Sequence, residues 1–384
     1  MSEEKGTSLF EDLFSSEKAG GLVLVVCAAV SLALANAQWG EGYVHFWHAD
    51  IVGRPLEFWI NDGLMTVFFL LIGLELEREV YIGELSQPRQ ALLPAVAAMG
   101  GMLVPAGIYL LVNHGTPSAS GAGIPMATDI AFAIGVLALL GRRVPLALKV
   151  FLTALAVMDD LGAILTIAVF YSKGLHWGYL GAAGGLFTTM LVLNRSRVHV
   201  LWPYLLLGAA MWGCMLGSGV HATLTGVLLA FAIPFGSGDA NSPSYRLQHA
   251  LHRPVAFGIM PVFALANTCI VLAPGWTQDL TGPVSSGIFL GLVLGKPSGI
   301  VLFALAALAL GWCALPAGMQ RKHLLGLGLL AGIGFTMSIF IALLAFSAPA
   351  LVVQAKTAIL FSSLLAAALG LAVLHMALGR KPTG

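Results

Sequence analysis

Charged residues are scarce in this sequence. Asp, Glu, Lys and Arg make up 10% of its 384 residues and hydrophobic residues make up 58%, whereas soluble domains have about 25% charged and about 45–50% apolar residues. This composition excludes a soluble globular protein. The formal net charge is only +1, so nothing indicates a nucleic acid or another strongly charged macromolecule as a partner.

Cysteine is also scarce. The four cysteines stand singly, without the spacing of a disulfide framework or a metal site, and we expect them to be small core side chains. A cleavable signal peptide is missing as well, because five acidic residues and only two lysines precede the first apolar segment, the reverse of the charge that such a peptide carries. We therefore expect an uncleaved first span.

Long apolar runs are what the sequence has in abundance. Runs of about 18 or more residues are long enough to cross a hydrocarbon core of about 30 Å as helices. The pattern predicts an all-α polytopic membrane protein in a lipid bilayer, a single domain over residues 1–384. The twelve predicted spans are residues 19–37, 57–80, 91–113, 125–140, 147–172, 176–194, 200–216, 219–235, 255–273, 284–310, 324–347 and 353–378.

The distribution of Lys and Arg predicts the orientation of these spans. Of 19 such residues, 15 fall in segments on the side of the amino terminus, and Lys296 falls inside a span. Positive residues stay on the cytoplasmic side, so the split supports twelve spans with both termini cytoplasmic. The three residues assigned to the opposite loops are Arg54, Lys173 and Lys356.

Four ionisable residues lie in the central parts of predicted spans, namely Asp129, Asp159, Asp160 and Lys296, whereas His221 and Asp62 lie near span ends. Each costs about 2.5–3.5 kcal/mol at the centre of a bilayer, so such residues usually line a pathway or bind something. A structural salt bridge is the simpler alternative, and it would explain Lys296 with one aspartate. One lysine cannot neutralise three carboxylates, so the remaining charge needs a proton, a cation or both.

The adjacent aspartates Asp159 and Asp160 point about 100° apart on a helix, so one can pair while the other stays free. A hard monovalent cation prefers oxygen ligands, by the same logic that governs calcium and magnesium sites. A buried carboxylate that holds either a proton or a cation is an exchange site. We predict such a site at this doublet.

Helix-interrupting residues occur in two of the predicted spans. In the fourth span Pro125 lies four residues before Asp129 and Thr128 directly before it, and Gly332, Gly334 and Thr336 lie in the middle of the eleventh. Paired interruptions in the two halves of a transporter predict discontinuous helices that cross at a site in the midplane, although each alone is also explained by packing. Inverted repeats are predicted over residues 91–172 and 284–378, because these triplets of spans start on opposite sides.

Several motifs resemble the NhaA family of bacterial sodium/proton antiporters, over nearly the whole chain and in the same order. Inverted repeats and broken helices are the family's own architecture, for which it serves as a standard example. The motifs are FFLLIGLELEREV (68–80), ATDIAFAIGVLALLG (127–141), DDLGAI (159–164), SGVHATLTGV (218–227), GKPSGI (295–300) and GIGFTMSIFIALLAF (332–346).

The resemblance implies a role for each residue of the site. Asp160 is the main carboxylate for sodium and protons, and Asp159 is either a co-ligand or the partner of Lys296. Thr128 and Asp129 contribute a ligand and offset the helix ends. The family exchanges sodium or lithium for more than one proton, without a cofactor and without being an enzyme, in the bacterial inner membrane. An aspartate at position 159 implies electrogenic exchange.

The family also has a cytoplasmic cluster that activates it at alkaline pH, which implies a role in pH sensing for matching residues here. Position 248 is acidic in the best-known pattern and glutamine in this chain. A solvated salt-bridge cluster is the alternative, and for His221 the alternative is a hydrogen-bonded packing role. The matching residues are Glu75, Arg78, Glu79, His249 and His252, with His221 as a further candidate.

The first outer loop, residues 38–56, has aromatic and β-branched residues around a Gly-Arg-Pro turn. The family pairs a β-hairpin here with that of a second subunit, which implies a homodimer. An aromatic belt at the membrane surface explains the same residues more simply.

Other functions fit the sequence less well. An aspartyl protease could use Asp129 and Asp160 but gives no role to Lys296, and a serine hydrolase would rest on Ser218 and His221 alone. A proton-coupled transporter of another small solute is the nearer alternative. The predicted site offers no aromatic or arginine clamp for such a solute.

Overall fold

The computed structural model describes residues 2–83, 86–172, 174–272 and 275–379. Lys173, Arg380 and Lys381, which entered the prediction of orientation, lie outside these residues. The chain forms two compact units. The first unit contains residues 1–41, 88–163 and 267–384, and the second contains residues 42–87 and 164–266.

Nearly all regular structure is helical, as the apolar runs predict. The helices of the described residues are α1 (Ser2–Ala35), α2 (Gly40–Trp47), α3 (Leu56–Phe58), α4 (Met65–Tyr81), α5 (Pro88–Val112), α6 (Ile130–Ala138), α7 (Leu146–Phe170), α8 (Trp177–Arg195), α9 (Trp202–Ser218), α10 (Leu224–Ala232), α11 (Pro243–Pro254), α12 (Met260–Asn267), α13 (Trp276–Asp279), α14 (Pro283–Leu290), α15 (Lys296–Ala309), α16 (Arg321–Ala331), α17 (Phe335–Ala345) and α18 (Pro349–Leu378). Single π-helical turns at Trp59–Leu64, Val255–Ile259 and Gly291–Gly295 join neighbouring helices, and 3₁₀ segments cover Pro117–Met126 and Gly141–Arg143.

Several of these helices are membrane-spanning in length and composition, so the chain is a helical membrane protein. Among the described residues, five helices are long and apolar enough to cross a bilayer, and there are up to eight spans if each of three bent pairs counts as one. The other four predicted spans correspond to helices that do not meet both conditions, such as α9 with 17 residues and α10 with nine. The count of twelve stays a prediction.

Two of the bent pairs coincide with the predicted interruptions. The 3₁₀ segment Pro117–Met126 and α6 meet at 44°, and α16 and α17 meet at 49°. The first of these begins earlier than the predicted start at residue 125, because the small residues of PSASGAGIPM form a 3₁₀ helix instead of a loop. The third pair consists of residues 19–35 of α1 and the following helix α2.

Three details differ from the sequence prediction. The helix at the ninth predicted span begins at Pro243, well before the predicted start at residue 255. The reason is that α11 continues through the π-helical turn into α12. Lys356, assigned to an outer loop, lies in α18 with 7% of its surface exposed. The first outer loop contains α2 as well as the predicted hairpin, in which Asp50–Ile51 pairs antiparallel with Arg54–Pro55.

Glycines allow close helix packing within each unit. In the first unit α5 and α15 approach so closely that a Cβ on Gly100 would overlap the carbonyl oxygen of Gly299. In the second unit a Cβ on Gly226 of α10 would overlap the carbonyl oxygen of Thr66 in α4. Small residues at helix contacts are typical of membrane proteins, where van der Waals packing holds helices together.

Candidate functional site

The two interrupted helices of the first unit contact each other at their breaks. Residues 127–129 are extended between the 3₁₀ segment and α6, and the Asp129 N–H donates to the Ile333 carbonyl oxygen at 2.7 Å. The Thr128 hydroxyl lies 2.9 Å from the carbonyl oxygen of Ala331. Hydrogen bonds between the two breaks therefore satisfy some of the backbone N–H and C=O groups that the interruptions leave unpaired. In a nonpolar environment such groups need partners within the protein.

The Asp129 carboxylate caps the amino termini of both α6 and α17. Its Oδ1 accepts a hydrogen bond from the Phe132 N–H at 3.0 Å, within α6. Its Oδ2 accepts from the N–H of Thr336 at 3.1 Å and also from the Thr336 hydroxyl. A negative charge stabilises the positive end of a helix dipole, so this buried carboxylate, 1% exposed, offsets two helix ends at once.

Lys296 and Asp159 form a buried ion pair beside these breaks. Lys296 Nζ lies 2.8 Å from Asp159 Oδ2, and both side chains are fully buried. The Thr128 hydroxyl lies 2.6 Å from the same oxygen, and Lys296 also donates to the Met126 carbonyl oxygen. Asp159 Oδ1 is buried without a hydrogen-bond partner among the described residues.

Asp160, the second residue of the doublet, is also buried, with 1% of its surface exposed. It lies close enough to Lys296 to interact electrostatically with it, although more weakly than Asp159 does. The Lys296 ammonium group therefore contacts one carboxylate of the doublet, that of Asp159, and the second carboxylate is buried next to it in sequence. Chemically, a buried carboxylate such as that of Asp160 can hold either a proton or a hard cation that prefers oxygen ligands.

The first unit thus brings together the residues that the sequence predicted for the exchange site. Pro125 lies just before the extended segment, and Gly332 and Gly334 lie in the break between α16 and α17. A Cβ on Gly332 would overlap the Leu292 carbonyl oxygen, so a larger residue has no room there. The assembled side chains are those of Thr128, Asp129, Asp159, Asp160, Lys296 and Thr336.

Sequence comparison identifies the family to which this arrangement belongs. A sequence model described as Na+/H+ antiporter 1 matches residues 11–374. The chain belongs to this family. The match confirms the resemblance that the motifs indicate.

Curated relatives are similar over almost their full length. The Na(+)/H(+) antiporter NhaA of Cytophaga hutchinsonii is 57% identical over 374 residues, which cover 97% of each chain. The NhaA of Flavobacterium psychrophilum is 59% identical over 366 residues, or 95% of each chain. Among solved structures, the sodium proton antiporter MjNhaP1 of Methanocaldococcus jannaschii matches with a TM-score of 0.55 at 16% identity, covering 95% of this chain and 99% of that one. At that identity the match shows a shared fold only.

The second unit of this antiporter-family chain contains the residues predicted to sense pH. His252 Nδ1 lies 3.9 Å from Glu75 Oε1, and the Arg78 guanidinium lies 4.9 Å from the centre of the Tyr245 ring. The same ring stacks on His249 with centroids 6.2 Å apart. Burial lowers the pKa of His252, and the nearby His249 and Arg253 lower it further.

His221, the remaining candidate, has a packing contact in the same unit. Its Nε2 lies 3.0 Å from the carbonyl oxygen of Tyr171. This hydrogen bond joins the loop before α10 to the end of α7. It matches the alternative of a hydrogen-bonded packing residue and leaves a role in pH sensing without support from this contact.

Sequence reasoning missed several polar residues that the structure places in contacts or buries. Tyr245 gave no signal, because an aromatic residue in an amphipathic helix is ordinary. Ser338 and Ser363 contact the interrupted helices, Ser338 through a 2.7 Å bond to the Ile124 carbonyl oxygen and Ser363 through the Phe335 N–H. Glu77 of α4 is 4% exposed, and its position inside a predicted span was a signal that could have found it.

Proposed function

We propose that this chain exchanges sodium or lithium ions for protons across the bacterial inner membrane. In this proposal a proton and a cation compete for Asp160. The observation that carries it is that two adjacent carboxylates, Asp159 and Asp160, are buried, and that the buried Lys296 forms its 2.8 Å ion pair with Asp159. The names of the relatives, Na(+)/H(+) antiporter NhaA, support the same reaction.

The neighbouring residues Asp159, Thr128 and Asp129 have separate roles in this proposal. Asp159 forms the ion pair with Lys296 in one state of the transport cycle and coordinates the cation through Oδ1 in another. This oxygen is suited to bind a cation because it is buried and has no hydrogen-bond partner among the described residues. Thr128 supplies a hydroxyl oxygen close to Asp159. Asp129 already accepts several hydrogen bonds, which favours the role of balancing helix ends over that of a direct ligand.

The transport cycle follows from competition at one carboxylate. Protonation of Asp160 displaces the cation, and loss of the proton to the other side prepares the carboxylate for the next ion. More than one proton returns for each cation, so the exchange is electrogenic and the proton gradient drives export of sodium. The second proton is carried by Asp159 or by Lys296, whose ion pair has to break for either to release it.

The membrane architecture is part of the proposal. The chain crosses the membrane twelve times with both termini cytoplasmic, and two triplets of spans, residues 91–172 and 284–378, form inverted repeats. The fourth and eleventh spans are discontinuous and cross at the midplane, which the bends of 44° and 49° support. Alternating access then moves helices around a fixed site.

Regulation and assembly complete the proposal. The cluster of Glu75, Arg78, Glu79, His249 and His252 sets activation at alkaline pH, which the contact of His252 with Glu75 and the placement of Arg78 over Tyr245 support. The hairpin at residues 50–55 pairs with that of a second subunit to form a homodimer.

Transport in proteoliposomes tests this function. Purified protein is reconstituted with an internal pH dye and an imposed proton gradient, and sodium, lithium or potassium is added outside. We expect sodium and lithium to collapse the gradient and Asp160→Asn to abolish the response, while Asp239→Asn, at an exposed loop residue, retains it. Equal responses to all three ions, or full exchange by Asp160→Asn, would refute the proposal.

A further inference from the structure

The amino terminus of α17 needs outside partners for its backbone N–H groups. The first N–H groups of a helix have no acceptor within the helix, and the residue before α17 is Gly334, which has no side chain to cap it. Two partners come from other elements. Asp129 accepts from the Thr336 N–H, and Ser363 Oγ accepts from the Phe335 N–H at 3.1 Å.

We propose that Ser363 is a positioning residue for the exchange site. Ser363 lies in the middle of α18 and is 2% exposed. It follows α17 in the chain, whereas Asp129 precedes it. Because the Ser363 hydroxyl accepts the hydrogen bond of the Phe335 N–H, the Asp129 Oδ2 is available to accept hydrogen bonds from Thr336. The inference rests on the proposed exchange at Asp160, since it assigns a role toward that site.

A short chain of contacts connects α17 to the aspartate doublet. The backbone just before α17 holds the extended segment, because the Ile333 carbonyl oxygen accepts from the Asp129 N–H at 2.7 Å. The Ala331 carbonyl oxygen lies 2.9 Å from the Thr128 hydroxyl. That hydroxyl in turn lies 2.6 Å from Asp159 Oδ2. A shift at the start of α17 therefore moves the hydroxyl beside the doublet.

Removing the Ser363 hydroxyl forces such a shift. The Phe335 N–H would be left without its acceptor in a nonpolar interior, where an unsatisfied group is costly. The carboxylate of Asp129 is the acceptor already bonded to the next residue of the helix. When that carboxylate turns toward Phe335, it loosens its bonds to Thr336 and draws the extended segment away from the doublet.

The adjacent residue of the same helix provides a matched control. Ser362 is fully buried, and its Oγ has no hydrogen-bond partner in the part of the chain that the structure describes. Ser362→Ala therefore deletes the same atom from the same helix without removing a contact of the site.

Sodium titrations of exchange in proteoliposomes test the inference. We expect Ser363→Ala to raise the apparent KM for sodium about fivefold or more, which is about 1 kcal/mol at 1.4 kcal/mol per tenfold, with a smaller change in maximal rate. Ser363→Thr keeps the hydroxyl and should stay within about twofold of wild type. Ser362→Ala should match wild type in both parameters.

Three results would overturn it. These are an unchanged KM in Ser363→Ala, an equal change in Ser362→Ala, and a Ser363→Thr variant that fails to restore the KM. If Ser363→Ala does not fold, Ser363→Cys replaces it, because a thiol of similar size is a weak acceptor. A wild-type KM in Ser363→Cys would then refute the inference. Absence of sodium-dependent exchange in wild type would instead refute the proposed function.

Discussion

Replacing Asp159 by asparagine removes the carboxylate that Lys296 contacts at 2.8 Å, while the shape of the side chain is kept. The ammonium group stays fully buried and retains its bond to the Met126 carbonyl oxygen. A neutral amide oxygen and a backbone carbonyl do not replace a negative charge. The variant therefore leaves an uncompensated cation inside the protein.

The expected magnitude follows from the burial of the pair. Removing one partner of a buried ion pair destabilises a protein by about 3–5 kcal/mol, whereas replacing both by neutral groups of similar volume is often neutral or stabilising. Asp159→Asn should therefore be clearly less stable than wild type. The double variant with Lys296→Met should regain at least half of the loss, because no buried charge then remains from the pair.

The assay is thermal unfolding of the purified protein in detergent, for wild type, both single variants and the double variant, with Asp239→Asn as a control for loss of an exposed carboxylate. Residual sodium/proton exchange of Asp159→Asn is measured in parallel, and we expect it to be less electrogenic because Asp160 remains. If the double variant is as unstable as the sum of the two single variants, the contact does not hold a charge pair and the reasoning is wrong.

Three further variants test other parts of the structure. Gly332→Ala should abolish exchange, because the added Cβ would overlap a neighbouring carbonyl oxygen. The control Gly184→Ala should be active, because the space around Gly184 is open. Comparable transport rates of the two variants would contradict this packing. Glu79→Gln should move the pH midpoint of exchange more than the maximal rate, and an unchanged pH profile would leave a solvated salt-bridge cluster as the explanation. The pKa of His252 is lowered by burial from its usual 6.5, so the unfolded chain binds more protons just below that pH. Stability should fall as the pH drops below about 6.5, and His252→Gln should reduce the slope of melting temperature against pH.

The residues of the candidate site could be selected from the sequence because charge inside a membrane is costly. Asp159, Asp160 and Lys296 stand out in apolar segments for that reason, and their need for mutual compensation predicts that they meet. The interruption near Gly332 was predictable because glycines in the middle of a span are conspicuous. Even so, which aspartate pairs with the lysine was left open by the sequence and depends on the rotation of α7.

Other features depend on long-range packing that the sequence pattern does not encode. Ser362 and Ser363 look identical in sequence, but only Ser363 faces the start of α17, 28 residues away. The 3₁₀ segment Pro117–Met126 is made of small residues that are equally common in loops. Lys356 lies so near the start of the predicted twelfth span, residues 353–378, that its charge was assigned to the adjoining outer loop, whereas the structure places it inside α18.

The central claim is that protons and sodium share Asp160, and sodium binding measured by calorimetry between about pH 6 and 9 tests it most directly. For wild type, the apparent Kd should fall by about tenfold per pH unit while protons occupy the carboxylate, and it should become constant once Asp160 is ionised. Asp160→Asn should show no binding at any pH. An affinity that is independent of pH, or that survives in Asp160→Asn, would contradict the account.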